Sequence, residues 1–146
     1  MKVTKEINWA SAHRLWNYDG LCRNVHGHNY KMEITVEGTQ GDDGILLDFS
    51  MVKKIAKEWI DEKWDHAVLL HPEDETFLKF LQYECQRFWV FPEYCPNTTA
   101  ENMTTVLYDI FHPMFEEVSE GRFHLESVKV WETPTSFAEE DGGSNV

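Results

Sequence analysis

The sequence is poor in cysteine and in long apolar runs, and each shortage excludes a class of protein. Its three cysteines are an odd number without the spacing of a disulfide framework, which predicts reduced thiols. No apolar run approaches the roughly 20 residues that a membrane-spanning helix needs. The first residues also lack the apolar core of a signal peptide, so we expect a cytoplasmic protein with no membrane partner.

Positive charge is scarce as well. The chain has 13 Lys and Arg against 26 Asp and Glu, and its formal net charge is −13. Nucleic acid is therefore not an expected partner, because binding the phosphate backbone requires a basic surface. The excess of acidic residues is typical of a charge that favours solubility.

Aromatic residues, in contrast, are plentiful, and 146 residues suit one domain around a single core. Alternation of apolar and polar residues predicts strands, and helical spacing of apolar residues predicts helices. The predicted strands are residues 2–12, 28–38 and 123–132, and the predicted helices are residues 51–64, 73–89 and 103–118. This order predicts an α+β fold, an antiparallel sheet with helices packed on one face.

Several residues are typical of helix ends. Asp48 and Ser50 offer N-cap oxygens before the first helix. Thr98 and Glu101 have the spacing of a capping box before the last helix. Pro113 is expected to kink or end that last helix, because proline lacks the backbone N–H that a helix interior uses.

The C-terminal stretch differs in composition from the rest of the chain. After Pro134 the sequence is acidic and rich in glycine, which predicts a segment without a packed core. We therefore expect a single domain over residues 1–135 and an acidic flexible tail over residues 136–146.

Three histidines form the most informative pattern. His26 and His28 are two residues apart, so on a strand they point to the same face. His13 ends an earlier predicted strand, and pairing of the two strands would bring three imidazoles together. Any one histidine is more simply an ordinary polar strand residue, but the pattern of three favours a metal site. Three histidines with an open fourth position are typical of catalytic zinc.

Other residues offer acid–base or binding chemistry. Cys22, in a predicted loop just before the histidine pair, is a candidate base or nucleophile, or else a structural thiol. Asp65 and His66 follow the first helix, where a histidine also suits the helix dipole. Glu132 ends the last strand, where it could accept paired N–H bonds from a heterocycle or simply be exposed.

Together, these residues resemble the 6-pyruvoyl-tetrahydropterin synthase / 6-carboxy-tetrahydropterin synthase family. The resemblance runs from about residue 7 to residue 133. Its matching segments are Ser11-Ala12-His13-Arg14-Leu15, Cys22 with His26-Gly27-His28-Asn29-Tyr30, Gly44 to Phe49 with Lys53, Asp65-His66, Thr98 to Asn102, and Val128 to Thr133.

The resemblance implies a fold, an assembly and a role for each motif. It implies the tunnelling fold, in which sheets join into a β-barrel within a homo-oligomer, usually a hexamer of two trimers with active sites between subunits. By position, zinc is bound by His13, His26 and His28. Cys22 abstracts a proton, Asp65 and His66 form a second acid–base pair, and Glu132 anchors the pterin ring, helped by Thr98 and Thr99.

The implied substrate is 7,8-dihydroneopterin triphosphate. The three-residue gap from Cys22 to His26 resembles the branch that forms 6-carboxy-5,6,7,8-tetrahydropterin, releasing triphosphate and acetaldehyde, in queuosine and deazapurine synthesis. The alternatives are the 6-pyruvoyl product of tetrahydrobiopterin-type pathways and a pterin-binding relative without turnover. A generic zinc hydrolase is a weaker alternative, because the sequence has no His-Glu-x-x-His motif.

Two features are left open by the resemblance. The aromatic segment over residues 71–97 is longer than usual for the family; it could cover the site, extend an oligomer contact or narrow substrate choice. A triphosphate also requires local cations in this acidic chain, for which our candidates are Arg14, Arg23, Lys31 and Lys53.

Overall fold

A six-stranded sheet with helices on one face forms the framework of the chain. The computed structural model describes residues 1–143. The strands are β1 (Lys2–His13), β2 (His26–Gly38), β3 (Ala67–Leu70), β4 (Phe88–Val90), β5 (Phe123–Thr133) and β6 (Ser136–Glu140). The helices are α1 (residues 49–63, with a π-helical turn at Lys53–Lys57), α2 (Glu75–Tyr83) and α3 (Ala100–Ser119), and a 3-10 turn covers Leu21–Arg23. The strand order is β4-β3-β1-β2-β5-β6.

The three long strands follow the predicted pattern. β1 pairs with β2, and β2 with β5, both antiparallel, so that Ile7 lies opposite Met32 and Trp9 opposite Tyr30. Alternate residues of these strands are buried and form one core with α1 and α3. The predicted α+β class, with helices packed on one face of the sheet, is confirmed.

The sheet is mixed rather than wholly antiparallel. β3 and β4, which the sequence patterns did not predict, add to the edge beyond β1 in parallel. The helix predicted over residues 73–89 accordingly ends at Tyr83. Cys85 has a φ of 53°, and this left-handed residue turns the chain so that Phe88–Val90 pairs with β3.

The helix ends agree with the predicted caps at one helix and shift by one residue at the other. The Ser50 N–H donates to Asp48 Oδ1 at 2.8 Å, as expected. In α3 the cap is Thr99, whose Oγ1 accepts from the Asn102 N–H at 3.2 Å, rather than Thr98. Pro113 does not end α3, which continues to Ser119 because buried side chains such as Phe111 and Phe115 hold it against the sheet.

The predicted flexible tail is wrong over residues 136–140. This segment is β6, antiparallel to β5, where Phe137 packs on Trp131 with ring centroids 4.5 Å apart. The Thr105 hydroxyl also donates to Glu140 Oε2 at 3.2 Å, which joins β6 to α3. The last three residues of the predicted tail, 144–146, lie outside the described residues. Across residues 1–143, no helix combines the length and apolar character that crossing a bilayer requires.

Candidate metal centre and active-site cavity

The three predicted histidines converge at one end of the sheet. The pairing of β1 with β2 places His13 opposite His26, and Ser11 opposite His28. Strand alternation then directs the three imidazoles to the same face as the core. One nitrogen from each ring lies within 4.8 Å of the others, and the ring centroids are 4.7 to 5.4 Å apart.

Backbone carbonyls determine which nitrogen two of the three imidazoles offer. His13 Nδ1 lies 2.7 Å from the Thr98 carbonyl oxygen, and His26 Nδ1 lies 2.7 Å from that of Asn24. A carbonyl oxygen only accepts, so both Nδ1 atoms carry the proton and both Nε2 atoms keep a lone pair. This is the tautomer that binds a metal through Nε2.

The burial of these rings also favours ligation. Burial, only partly offset by the bond to Thr98, lowers the pKa of His13 to about 4, so the ring is neutral near pH 7. The Nε2 atoms of His13 and His28 are buried and have no hydrogen-bond partner among residues 1–143. Two buried nitrogens without hydrogen-bond partners, in a cluster of three imidazoles, fit a divalent ion such as zinc.

Glu132 borders the histidine cluster at the end of β5. Its Oε1 lies 3.6 Å from His28 Nε2. Burial lowers the pKa of His28, and the neighbouring Glu132 carboxylate opposes that shift. The Glu132 side chain is about one-third exposed, so one carboxylate faces both the histidines and open space.

A cavity of about 370 Å³ lies beside the cluster and joins four of the nine predicted site residues. Its walls are formed by His13, Leu15, Tyr18, Cys22, Thr99, Ala100, Glu101, Glu132, Ser136, Phe137 and Ala138. Cys22 is exposed on the 3-10 turn, and its carbonyl accepts from the Leu15 N–H at 2.8 Å. The structure therefore brings together the Cys22 thiol, the candidate metal ligand His13 and the Glu132 carboxylate.

Thr98 and Thr99 take different places. Thr99 lines the cavity at the N-terminus of α3. Thr98 is buried, and its carbonyl and hydroxyl oxygens lie against His13 Nδ1, at 2.7 and 3.1 Å. The position of Thr98 therefore suits holding His13 rather than touching a ligand in the cavity.

Asp65 and His66 lie outside the cavity that Cys22 and Glu132 line. Asp65 Oδ1 accepts from the Ala10 N–H at 3.0 Å and lies 3.0 Å from His66 Nδ1. Burial tends to raise the pKa of Asp65, but the Ala10 bond and His66 outweigh it and hold the pKa below its usual value. His66, with an 81% exposed side chain, lines a different cavity with residues such as Gly27 and Asn29. Within one chain, His66 and Cys22 thus serve separate cavities.

Sequence patterns missed several contributors to the site. The Thr98 and Asn24 carbonyls that orient two histidines have no side-chain signature. Ser136 and Ala138 line the cavity, although their acidic surroundings predicted a flexible tail. Glu101 also lines it; its sequence signal, the capping-box spacing, indicated a structural role only.

The four side chains predicted as cations for a triphosphate also lie at different places in the structure. Arg14 donates through Nε and Nη2 to the Asp74 carboxylate, at 2.7 and 2.6 Å. Lys31 lies over the Trp131 ring at 4.7 Å, and Lys53 lines a cavity with Lys5 and other β1 residues. Arg23 is in a second cavity beside the first one.

Comparison with known proteins defines the class. The family described as 6-pyruvoyl tetrahydropterin synthase matches residues 2–142. The chain therefore belongs to the 6-pyruvoyl tetrahydropterin synthase family, which is a family of lyase-type enzymes. The resemblance inferred from the sequence motifs is confirmed.

Individual relatives agree with this assignment. The chain is 34% identical to the 6-carboxy-5,6,7,8-tetrahydropterin synthase of Rickettsia bellii, a match that covers 95% of this chain and 99% of that protein. It is 30% identical to the enzyme of the same name from Haemophilus influenzae, over 94% and 96% of the two chains. The structure of Plasmodium falciparum 6-pyruvoyl tetrahydropterin synthase superposes with a TM-score of 0.72 at 22% identity, covering 96% of each chain. That likeness confirms the tunnelling fold.

Proposed function

We propose that this chain converts 7,8-dihydroneopterin triphosphate and water into 6-carboxy-5,6,7,8-tetrahydropterin, triphosphate and acetaldehyde, in queuosine and deazapurine synthesis. The observation that carries the proposal is the single cavity that joins His13, Cys22 and Glu132. The names of the Rickettsia and Haemophilus relatives support the same product.

The three histidines are the proposed zinc ligands. His13 and His26 each have a backbone acceptor on Nδ1 and a lone pair on Nε2, and the His28 Nε2 atom is buried beside them. When bound there, zinc would act as a Lewis acid on the substrate's side-chain hydroxyls and make the adjacent C–H bonds more acidic.

Cys22 is the proposed base. Its thiol is exposed in the cavity that His13 also lines, where a thiolate has room to take a proton from the substrate side chain. The Asp65–His66 pair is the proposed second acid–base group, because the carboxylate lies 3.0 Å from His66 Nδ1 and holds the ring. Protons removed on one side of the side chain and returned on the other move its unsaturation, and no redox cofactor is required.

Glu132 is the proposed anchor for the pterin ring. A carboxylate accepts two parallel N–H bonds from a heterocycle such as a pterin, which fixes its orientation. Glu132 is exposed to the cavity on one side, and Thr99 lines the cavity near it. Thr98 does not line the cavity and contributes to the proposed site by holding His13 through a hydrogen bond.

The chain is proposed to act as a homo-oligomer, a hexamer of two trimers, in the cytoplasm. The separation of Cys22 and His66 into different cavities supports a shared site, in which a second copy supplies His66. Symmetric association would also cover the outer edges of β4 and β6, the terminal strands of the sheet described for residues 1–143.

The alternative product is 6-pyruvoyl-tetrahydropterin, formed by triphosphate elimination without loss of the side-chain carbons. The name of the matching family favours this alternative. The three-residue gap between Cys22 and His26 favours the carboxy product.

One assay tests the proposal. Purified protein is incubated with 7,8-dihydroneopterin triphosphate, with and without a zinc chelator, and the products are identified by mass spectrometry. We expect 6-carboxy-5,6,7,8-tetrahydropterin and acetaldehyde, and loss of both on chelation. A 6-pyruvoyl product would establish the alternative, and binding without any product would indicate a pterin-binding protein.

A further inference from the structure

A second cavity of about 420 Å³ adjoins the active-site cavity. It is lined by Arg14, Leu15, Trp16, Asn17, Tyr18, Asp19 and Arg23. Leu15 and Tyr18 line both cavities, so the two share a wall. The adjacent residues Cys22 and Arg23 of one 3-10 turn line the first and the second cavity, respectively. A ligand that reaches Cys22 thus needs only a short extension to reach Arg23.

The two arginines of this second cavity differ in whether their charge is free to bind an anionic ligand. The Arg14 guanidinium donates two bonds to Asp74, a side chain only 3% exposed, so its charge is already compensated. Arg23 is exposed and forms no salt bridge with any residue of 1–143. Asp19 is the one acidic residue among those that line this cavity. Arg23 is therefore the cation left to bind an anionic ligand group.

The other two candidate cations, Lys31 and Lys53, lie on surfaces away from this second cavity. Lys31 lies over Trp131 and 3.7 Å from Glu6 Oε1, on the sheet face opposite the histidines. Lys53 lines a cavity with Ile7 and Asn8, away from both cavities of the site. Neither lysine lines the wall that Leu15 and Tyr18 form.

We propose that the second cavity is a polyphosphate subsite in which Arg23 binds the triphosphate of the substrate. This inference rests on the proposed function, because it assigns a place to one part of that substrate. With the pterin at Glu132 and its side chain at Cys22, the triphosphate extends past Tyr18 to the Arg23 guanidinium. Charge-assisted bonds between guanidinium and phosphate are strong and geometrically specific. Arg14 lines the same cavity, but its guanidinium stays paired with Asp74.

Binding of inorganic tripolyphosphate, measured by calorimetry, tests the subsite without turnover. Arg23→Ala is expected to weaken binding about tenfold or more, the loss of one charge-assisted contact. Asp19→Asn is expected to tighten binding a few-fold, since it removes the opposing charge from the same cavity. Arg122→Ala is the matched control, because it removes the same charge from a residue that lies over Phe123 at the far end of β5. Its affinity should equal that of the unaltered protein.

A second measurement separates the subsite from the proposed reaction. Arg23→Ala should raise KM for dihydroneopterin triphosphate about tenfold and leave the inhibition constant of unphosphorylated dihydroneopterin unchanged. Equal tripolyphosphate affinity of Arg23→Ala and Arg122→Ala would overturn the subsite, even if the enzyme is active. Arg23-dependent affinity in a protein that forms no product would leave the subsite standing and refute the proposed function. Arg23 is exposed, and Arg23→Lys, which keeps the charge but not the planar guanidinium, should lose less affinity than Arg23→Ala.

Discussion

At the scale of single residues, the neighbours of each histidine matter as much as the histidines. Two backbone carbonyls hold the protons of His13 and His26 on Nδ1, and burial keeps His13 neutral near pH 7. The spacing of the histidines predicts that their side chains converge, because side chains alternate between the two faces of any β-strand, whatever its sequence. The orienting carbonyls could not be predicted, because every residue has one and only the folded chain selects Thr98 and Asn24.

The thiol of Cys22 provides the first prediction at this scale. Cys22→Ala should lower kcat by about 10²-fold or more, the usual loss when a general base is removed, with the zinc content unchanged. Cys85→Ala is the matched control, because Cys85 is equally an exposed thiol but follows α2 and lines none of the site. Steady-state kinetics and metal analysis of both variants check this. Full activity of Cys22→Ala would remove the residue from the mechanism.

Asp65 provides a prediction about pH. Its pKa in the folded chain lies below the ordinary value of 3.8, so the ionised carboxylate stabilises the fold. This contribution is complete above pH 3.8 and is lost as the pH falls through the lowered folded-state pKa. Asp65→Asn should therefore lower the free energy of unfolding by about 1 kcal/mol at pH 7, and the difference should disappear in acid.

Urea unfolding from pH 7 to pH 3 measures this effect. Glu62→Gln is the control, since the Glu62 side chain is 72% exposed and, within residues 1–143, pairs only with the neighbouring Lys63, so its removal should change little at any pH. A difference for Asp65→Asn that stays constant down to pH 3 would contradict the role assigned to the ionised carboxylate.

At the scale of elements, the sequence predicts the long strands better than the short ones. β1 and β2 alternate more buried and less buried positions along their length, and β5 does so on either side of a break at Ser127 and Val128. Alternation of this length is typical of strands. β3 is a four-residue apolar run, too short to distinguish from a buried helix segment. Its pairing with β1 and β4 is decided by tertiary contacts, which also end α2 early.

β6 shows how composition can mislead at this scale. Its residues lie in an acidic, glycine-rich stretch, and that composition is typical of disorder. Pairing along β5 and the packing of Phe137 on Trp131 nevertheless order the strand. Lys129 lies over the Phe137 ring at 4.5 Å and adds a favourable contact. One aromatic side chain with a partner on the adjacent strand outweighs the polar neighbours.

The segment before α2 provides a prediction at the element scale. Asp74 holds Arg14 with two bonds, next to the zinc-ligand candidate His13, and the Trp16 ring stacks on His71 at 4.7 Å. Asp74→Asn should lower the free energy of unfolding by about 2–3 kcal/mol, because it leaves Arg14 without its charged partner. It should also weaken zinc binding, because Arg14 adjoins His13.

Denaturant unfolding of the apo-protein and zinc titration check both parts. Glu73→Gln is the matched control, since Glu73 is the exposed neighbour of Asp74 and should give values close to those of the unaltered protein. Asp74→Asn with unaltered stability would show that the Arg14–Asp74 pair contributes nothing to this fold.

At the scale of the whole molecule, the chain by itself holds an incomplete set of groups in each cavity. Cys22 and Glu132 line one cavity and His66 another, although the proposed reaction needs both proton-transfer groups at one substrate. The outer edges of β4 and β6 have no partner strand among residues 1–143. A closed ring of copies would address both features at once, by pairing edges and by bringing His66 of one copy to Cys22 of another.

Mixed assemblies test that arrangement directly. Cys22→Ala and His66→Asn should each be inactive alone; Asn is chosen because it tolerates the left-handed backbone at His66, where φ is 58°. After the two variants are unfolded together and refolded, about one quarter of the shared sites would combine an intact Cys22 with an intact His66, because each comes from a different copy. Activity should therefore return to about a quarter of that of the unaltered protein per site. If one copy supplied both groups, no mixture would ever contain a complete site, and the co-refolded protein would stay as inactive as its parents.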